Sequence, residues 1–274
     1  MVQNVRFYNM KTIFSISISV LMSSHVFAQK HEHPLFPTPA DEKTFDRPIR
    51  ALIVDLRKSE NSSGEVREEC FEYPEFAIYQ VDDRAIKGAA RFEIRSRSKL
   101  KMADKDLCAK GFKGQEVGVP EAYFKGVKGD FIVLDGADGF GEEIDFHIYS
   151  AKKQKKIFSA KRELNSEWSF EIDKGTLRVE LSLSLDVRCS VFEKGDICRN
   201  QIAKLNKLPK RLIKSIPDCK ELYVAKKNNE PPEYESHKIP SQLFIKAKIQ
   251  FKKVQQIFYI GDEFKCGEQS YFSF

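Results

Sequence analysis

From Leu177 to Cys189 the chain alternates without a break. Leu177, Val179, Leu181, Leu183, Leu185, Val187 and Cys189 are apolar, and Arg178, Glu180, Ser182, Ser184, Asp186 and Arg188 stand between them. A period of two sends all the apolar side chains to one face of a strand and all the polar ones to the other, whereas a helix would scatter the leucines round its circumference. One buried and one wet face is the pattern of an antiparallel sheet, not of a parallel sheet covered on both sides. Any fold of this chain must therefore bury one face of a long strand over 177–189.

Its neighbours repeat the theme. Trp168 to Ile172 alternates likewise, and Asp173-Lys174-Gly175-Thr176 supplies a turn whose glycine accepts positive φ, so 168–189 predicts a hairpin. Phe131–Leu134, Phe146–Tyr149 and Ile157–Ala160 predict three more strands. Leu243, Ile245, Ala247, Ile249 and Phe251 alternate with Phe244, Lys246, Lys248, Gln250 and Lys252, and Gln256–Ile260 follows as a final core strand. Shorter apolar runs lie at Ala51–Leu56, Phe76–Val81 and Ala90–Ile94. Helical spacing occurs near 200–216, through Ile202, Leu205, Leu212, Ile213 and Ile216, with Pro209 breaking it into two pieces. The expected fold is all-β, a mainly antiparallel sandwich or barrel-like sheet with one or two short helical segments. It occupies a single β-rich domain over 49–274, with 110–120 as the place where a sub-boundary would fall.

The first 28 residues contain no acid. Arg6 and Lys11 precede an apolar run from Thr12 to Met22, and Val26-Phe27-Ala28 ends the segment with small residues where a signal peptidase needs them. The run is about a dozen residues, short of the roughly 20 that span a bilayer. This reads as a signal peptide cleaved near Ala28, delivering the chain to the bacterial periplasm or the exterior. Residues 29–48, with Pro34, Pro37, Pro39 and Pro48, read as a flexible Pro-rich leader. Losing Arg6 and Lys11 lowers the net charge from +6 to +4. A mild charge spread along the chain does not point to nucleic acid, which calls for a concentrated basic face. No second segment reaches the length of a membrane-spanning helix, so an integral helical membrane protein is not expected.

Cys70, Cys108, Cys189, Cys198, Cys219 and Cys266 all follow the cleavage point. An even number in an oxidising compartment reads as structural disulfides, with Cys189 and Cys198 the nearest pair and the best local bridge.

Candidate sites are sparse. His31 becomes the third residue after cleavage, and with His33 and the new amine it offers Cu(II) or Ni(II) a square-planar set; Gln29 cyclisation would remove the amine. The stretch 135–145 concentrates carboxylates and glycines, suiting Ca²⁺ by ligand type, but Ala137 stands where an EF-hand would put its second ligand. Asp135, Asp138, Glu142 and Glu143, with His147, are the candidates for carboxylate-based hydrolysis. His147 and His237 are the histidines of the domain, and no nucleophile-elbow, zinc or phosphate-loop motif accompanies them. Ile197 to Pro217 holds no acid but carries Arg199, Lys204, Lys207, Lys210, Arg211 and Lys214, a segment fitted to an anionic envelope component. The sequence thus favours an exported binding or structural protein that is not an enzyme and needs no cofactor, its ligand unspecified. The alternatives are an envelope hydrolase working through 135–145, or an outer-membrane-associated β protein. Tyr271–Phe274 resembles the closing strand of outer-membrane barrels, while the lysines of 243–252 count against that reading.

Overall fold

The computed structural model describes residues 44–58, 64–83, 85–97, 106–118, 121–137, 143–229, 240–252 and 255–267. The fold is mostly antiparallel β, in two sheets. The first is a meander of β1 (Arg50–Lys58), β2 (Glu65–Glu72), β3 (Phe76–Asp83), β4 (Ala89–Ser96) and the short β5 (Gln115–Glu116), in that spatial order. The second contains β6 (Ala122–Lys128), β7 (Phe131–Gly136), β8 (Glu143–Ser150), β9 (Lys155–Glu163), β10 (Ser169–Asp173), β11 (Thr176–Ser184), β12 (Gln242–Lys252) and β13 (Gln255–Gly267). Its order is β13-β12-β11-β9-β8-β7-β6, with β10 also on β11. The chain passes from the first sheet to the second between Glu116 and Ala122.

The second sheet folds over, so that β7 and β8 form a middle layer. Val133, Phe146, Ile148 and Phe158 pack against Leu177, Val179, Leu181 and Leu183 of β11 and Ile249 of β12. The opposite face of the same strands, through Ile132, Leu134 and Tyr149, packs against Phe76 and Ile78 of β3 and Phe92 and Ile94 of β4. Ile132, Val133 and Leu134 are consecutive and wholly buried, which a strand achieves only when both its faces are covered. β11 keeps the expected contrast: its leucines are buried while Arg178 and Glu180 face solvent. The β10–β11 hairpin turns on Lys174 (φ 48) and Gly175 (φ 75), with Asp173 opposite Thr176. Two positive φ values in a two-residue loop match the twist of the flanking strands.

Two expectations are corrected. The strand read over 177–189 ends at Ser184, although the alternation continues. Leu185 still donates to the Leu243 carbonyl at 2.9 Å, but the Asn206 side chain then takes both backbone groups of Asp186, at 2.9 and 2.8 Å. The ladder is thus replaced by a side chain, and Leu185 and Val187 turn to a helical layer. The stretch read as flexible leader also ends earlier than 48. Phe45 is buried against Phe170 and Trp168, and the Asp46 amide donates to the Val127 carbonyl at 2.8 Å. Gly126 makes room for it, since a β-carbon there would come within 2.4 Å of the Phe45 ring.

A disulfide-pinned basic cap as candidate functional site

Between β11 and β12 the chain builds a cap of short helices. These are α1 (Val191–Lys194), α2 (Asp196–Leu205), a 3₁₀ segment (Lys210–Ser215) and α3 (Lys220–Asn229). Ser190 caps α1 by accepting from the Glu193 amide at 3.2 Å. Ser241, at the start of β12, accepts from the Val191 amide at 2.9 Å and from the Tyr223 hydroxyl at 2.8 Å. Beneath lies a separate apolar core of Val191, Ile202, Leu208, Ile216, Tyr223 and Leu243.

Three disulfides join the cysteines in chain order. Cys189–Cys198 ties α2 back to the end of β11, and Cys219–Cys266 ties the start of α3 to β13. Cys70–Cys108 holds the 106–114 loop on the outer face of the first sheet. There Arg95, buried and stacked 3.6 Å over the Tyr79 ring, donates to the Leu107 carbonyl at 2.8 Å.

Of the six basic residues of the segment, Arg199 is structural. Its guanidinium donates to the Ile216 carbonyl and to Asp196, each at 2.8 Å, clipping α2 to the chain beyond the 3₁₀ segment. Lys204, Lys207, Lys210, Arg211 and Lys214 all face solvent, and among the described residues none of them pairs with an acid. Ile197 (74% exposed) and Leu205 (37%) stand out from the same segment. Of the apolar positions in this segment, Ile202, Leu212 and Ile216 are buried in the core, while Ile197 and Leu205 point outward.

Among the described residues, no carboxylate of 135–145 is hydrogen-bonded to a histidine, though the charges of Asp145 and Asp135 act on His147 and partly oppose the effect of its burial. Asp135 is held bidentately by Arg162, at 3.1 and 2.5 Å, and Arg162 also donates to the Glu163 and Leu164 carbonyls and lies 4.2 Å over the Trp168 ring. Asp135 opposes Phe146 in the ladder whereas His147 opposes Leu134, so the two side chains leave opposite faces of the sheet. His147 is buried with Nδ1 2.8 Å from the Ser159 hydroxyl, and burial, helped by Lys156, holds its pKa below the ordinary value. Glu143 accepts from Lys161 at 2.5 Å and from Ser184 at 2.6 Å. Asp138, Glu142, His237, His31 and His33 lie outside the described residues.

Among the described residues, Glu72, Asp106 and Cys108 are the group whose spacing would suit a metal. Cys108 is tied up in its disulfide, and Arg50 pairs with both carboxylates while Arg97 adds to Glu72, so the donor set is that of an ion-pair cluster. A groove of about 890 Å³ runs beside β11, β12 and β13. Its three lysines are matched in-chain: Lys246 with Glu263, Lys248 with Glu180 and Lys265 with Glu163. Lys204, Lys207, Lys210, Arg211 and Lys214 of the cap, by contrast, have no acidic counterpart among the described residues. Compared with known proteins, the chain matches no family model, no curated protein and no solved structure.

Proposed function

We propose that this is an exported, non-enzymatic binding module that docks on a phosphate-bearing envelope surface through the cap. The observation that carries the reading is the set of five solvent-facing cations, Lys204, Lys207, Lys210, Arg211 and Lys214, in a segment with no acid from Ile197 to Pro217. The cap is pre-organised by two disulfides and its own apolar core, so presenting these charges requires no ordering on binding. Ile197 and Leu205 add apolar surface that can enter the boundary between headgroups and acyl chains. Export is supported by the signal-like first 28 residues and by three disulfides, which persist in oxidising compartments.

The magnitude sets the character of the interaction. A basic residue close to an anionic membrane contributes about 1 kcal/mol, so five supply about 5 kcal/mol, which is weak and reversible binding. It should also be screened as the Debye length shrinks. The test is co-sedimentation of the mature protein with vesicles of phosphatidylglycerol and phosphatidylcholine. Binding is expected to the anionic vesicles at low salt, to be lost at about 0.5 M NaCl, and to be absent with phosphatidylcholine alone. The variant Lys210→Glu/Arg211→Glu/Lys214→Glu changes only exposed side chains, and it should unfold at the same temperature while no longer sedimenting. Undiminished binding by that variant, or equal binding to both vesicle types, would sink the reading.

A further inference from the structure

β1 is the terminal strand of the first sheet: β2 covers one of its edges, and among the described residues no strand covers the other. Its surroundings are unusually apolar for an edge. Ile49, Leu52, Ile53 and Leu56 are 66, 37, 43 and 53% exposed, and together they form the densest run of exposed large aliphatics along the described chain. An uncovered edge of this length and composition is a template for strand addition, because its amides and carbonyls are already extended and its side chains gain from being covered.

The sequence of the edge indicates what covers it. The ladder with β2 runs Arg50↔Glu72, Ala51↔Phe71, Leu52↔Cys70, Ile53↔Glu69, then Asp55↔Glu68 and Leu56↔Arg67, so Val54 is an extra, bulged residue. In an antiparallel pair, opposed residues must point their backbone groups the same way, so each bulge is skipped in counting. Counted so, the edge is its own complement about Leu52. Leu52 faces Leu52 of a second copy, Ala51 faces Ile53 and Arg50 faces Asp55. The three central pairs are apolar, and each end of the pairing sets a cation against an anion. Ile49, whose amide donates to the Glu72 carbonyl at 2.7 Å, is turned to β2 and stands outside the new ladder. Arg50 keeps its contacts to Glu72 and Asp106, and Asp55 its contacts to Arg57 and Lys110, so the new cross-strand charges select the register more than they add affinity. We infer that the protein forms a two-fold dimer by antiparallel β1–β1 pairing centred on Leu52, joining the two first sheets into one continuous sheet.

The decisive experiment uses Leu52→Cys in the full mature chain, whose native cysteines are all paired. Directly opposed residues of antiparallel strands have Cα atoms about 4.5–5.5 Å apart, within disulfide range. Under mild oxidation Leu52→Cys is expected to yield a covalent dimer on non-reducing gels. Ile53→Cys, offset from its own symmetry mate, should yield little. In sedimentation equilibrium the wild type should approach twice the chain mass as concentration rises. Ile53→Lys, at an exposed position inside the central pairs, should stay at the chain mass while unfolding at an unchanged temperature. A wild type that stays monomeric at every concentration overturns the dimer, and crosslinking through position 53 in preference to 52 overturns the register.

Discussion

Glu69 lies on β2 with 3% of its surface exposed, one carboxylate oxygen 2.6 Å from Arg67 and the other without a hydrogen-bond partner among the described residues. Burial outweighs the Arg67 attraction, and the nearby Asp82 charge adds to it, so the pKa is pushed up to about 7 from an ordinary 4.5. The folded state then holds a proton that the unfolded state has released, and stability falls wherever that difference exists. The stabilisation should be complete below pH about 4.5 and lost as pH rises through about 7. At 1.36 kcal/mol per unit it amounts to about 3 kcal/mol. Urea unfolding of wild type and Glu69→Gln at several pH values should show that decline in the difference between them; a difference that stays constant between pH 5 and 7.5 would contradict the assignment. Asp135 illustrates the other fate of a buried acid. Its bidentate partner Arg162 has only 6% of its side chain exposed, so Asp135→Ala strands a buried guanidinium. Removing one partner of such a pair costs about 3–5 kcal/mol. The same urea experiment measures it, and a loss within 0.5 kcal/mol would show that the guanidinium reaches water.

The end of β11 shows how one element can be set by a residue far along the chain. Asn206 bonds the backbone of Asp186 twice and also donates to the Ile202 carbonyl at 2.9 Å, closing α2 and stopping the strand together. Asn206→Ala leaves those exposed backbone groups to water and is expected to lower stability by about 0.5–1.5 kcal/mol. Hydrogen exchange should then quicken at the Asp186 amide, while exchange at Val179 in the strand centre stays slow. The alternation of β10, β11 and β12 was legible because one face of each is buried and the other wet, a contrast that side-chain type records directly. Nothing between 177 and 189 records Asn206, so the strand's end was not legible. β2 was hidden for another reason. Its sequence, Glu65-Val66-Arg67-Glu68-Glu69-Cys70-Phe71-Glu72, reads as solvated, yet Glu68 and Glu72 are buried where Arg57, Arg50 and Arg97 reach them from elsewhere, and Glu69 is buried beside Arg67 of its own strand. Ion pairing of that kind is a tertiary event and leaves no periodicity. The cations of the cap were legible as a run without acids; the inward turn of Arg199 and the outward turn of Ile197 depend on how α2 sits on its core.

At the scale of the molecule, two apolar cores share β7 and β8 as a common wall, and the helical cap stands on a third. That arrangement separates the two surfaces assigned here: the basic cap belongs to the β11–β12 connection, and the open edge belongs to the first sheet. Each can be disabled by exposed substitutions without touching the other, so vesicle binding and self-association are independent measurements. The cysteine pairing has a consequence of its own. Every cysteine is joined to the next one along the chain, 70 to 108, 189 to 198 and 219 to 266, with no loop enclosing or crossing another. A polypeptide threaded N-terminus first into an oxidising compartment therefore meets each correct partner before any competing thiol emerges, and simple oxidation in order of arrival yields the native set with no bond to reshuffle.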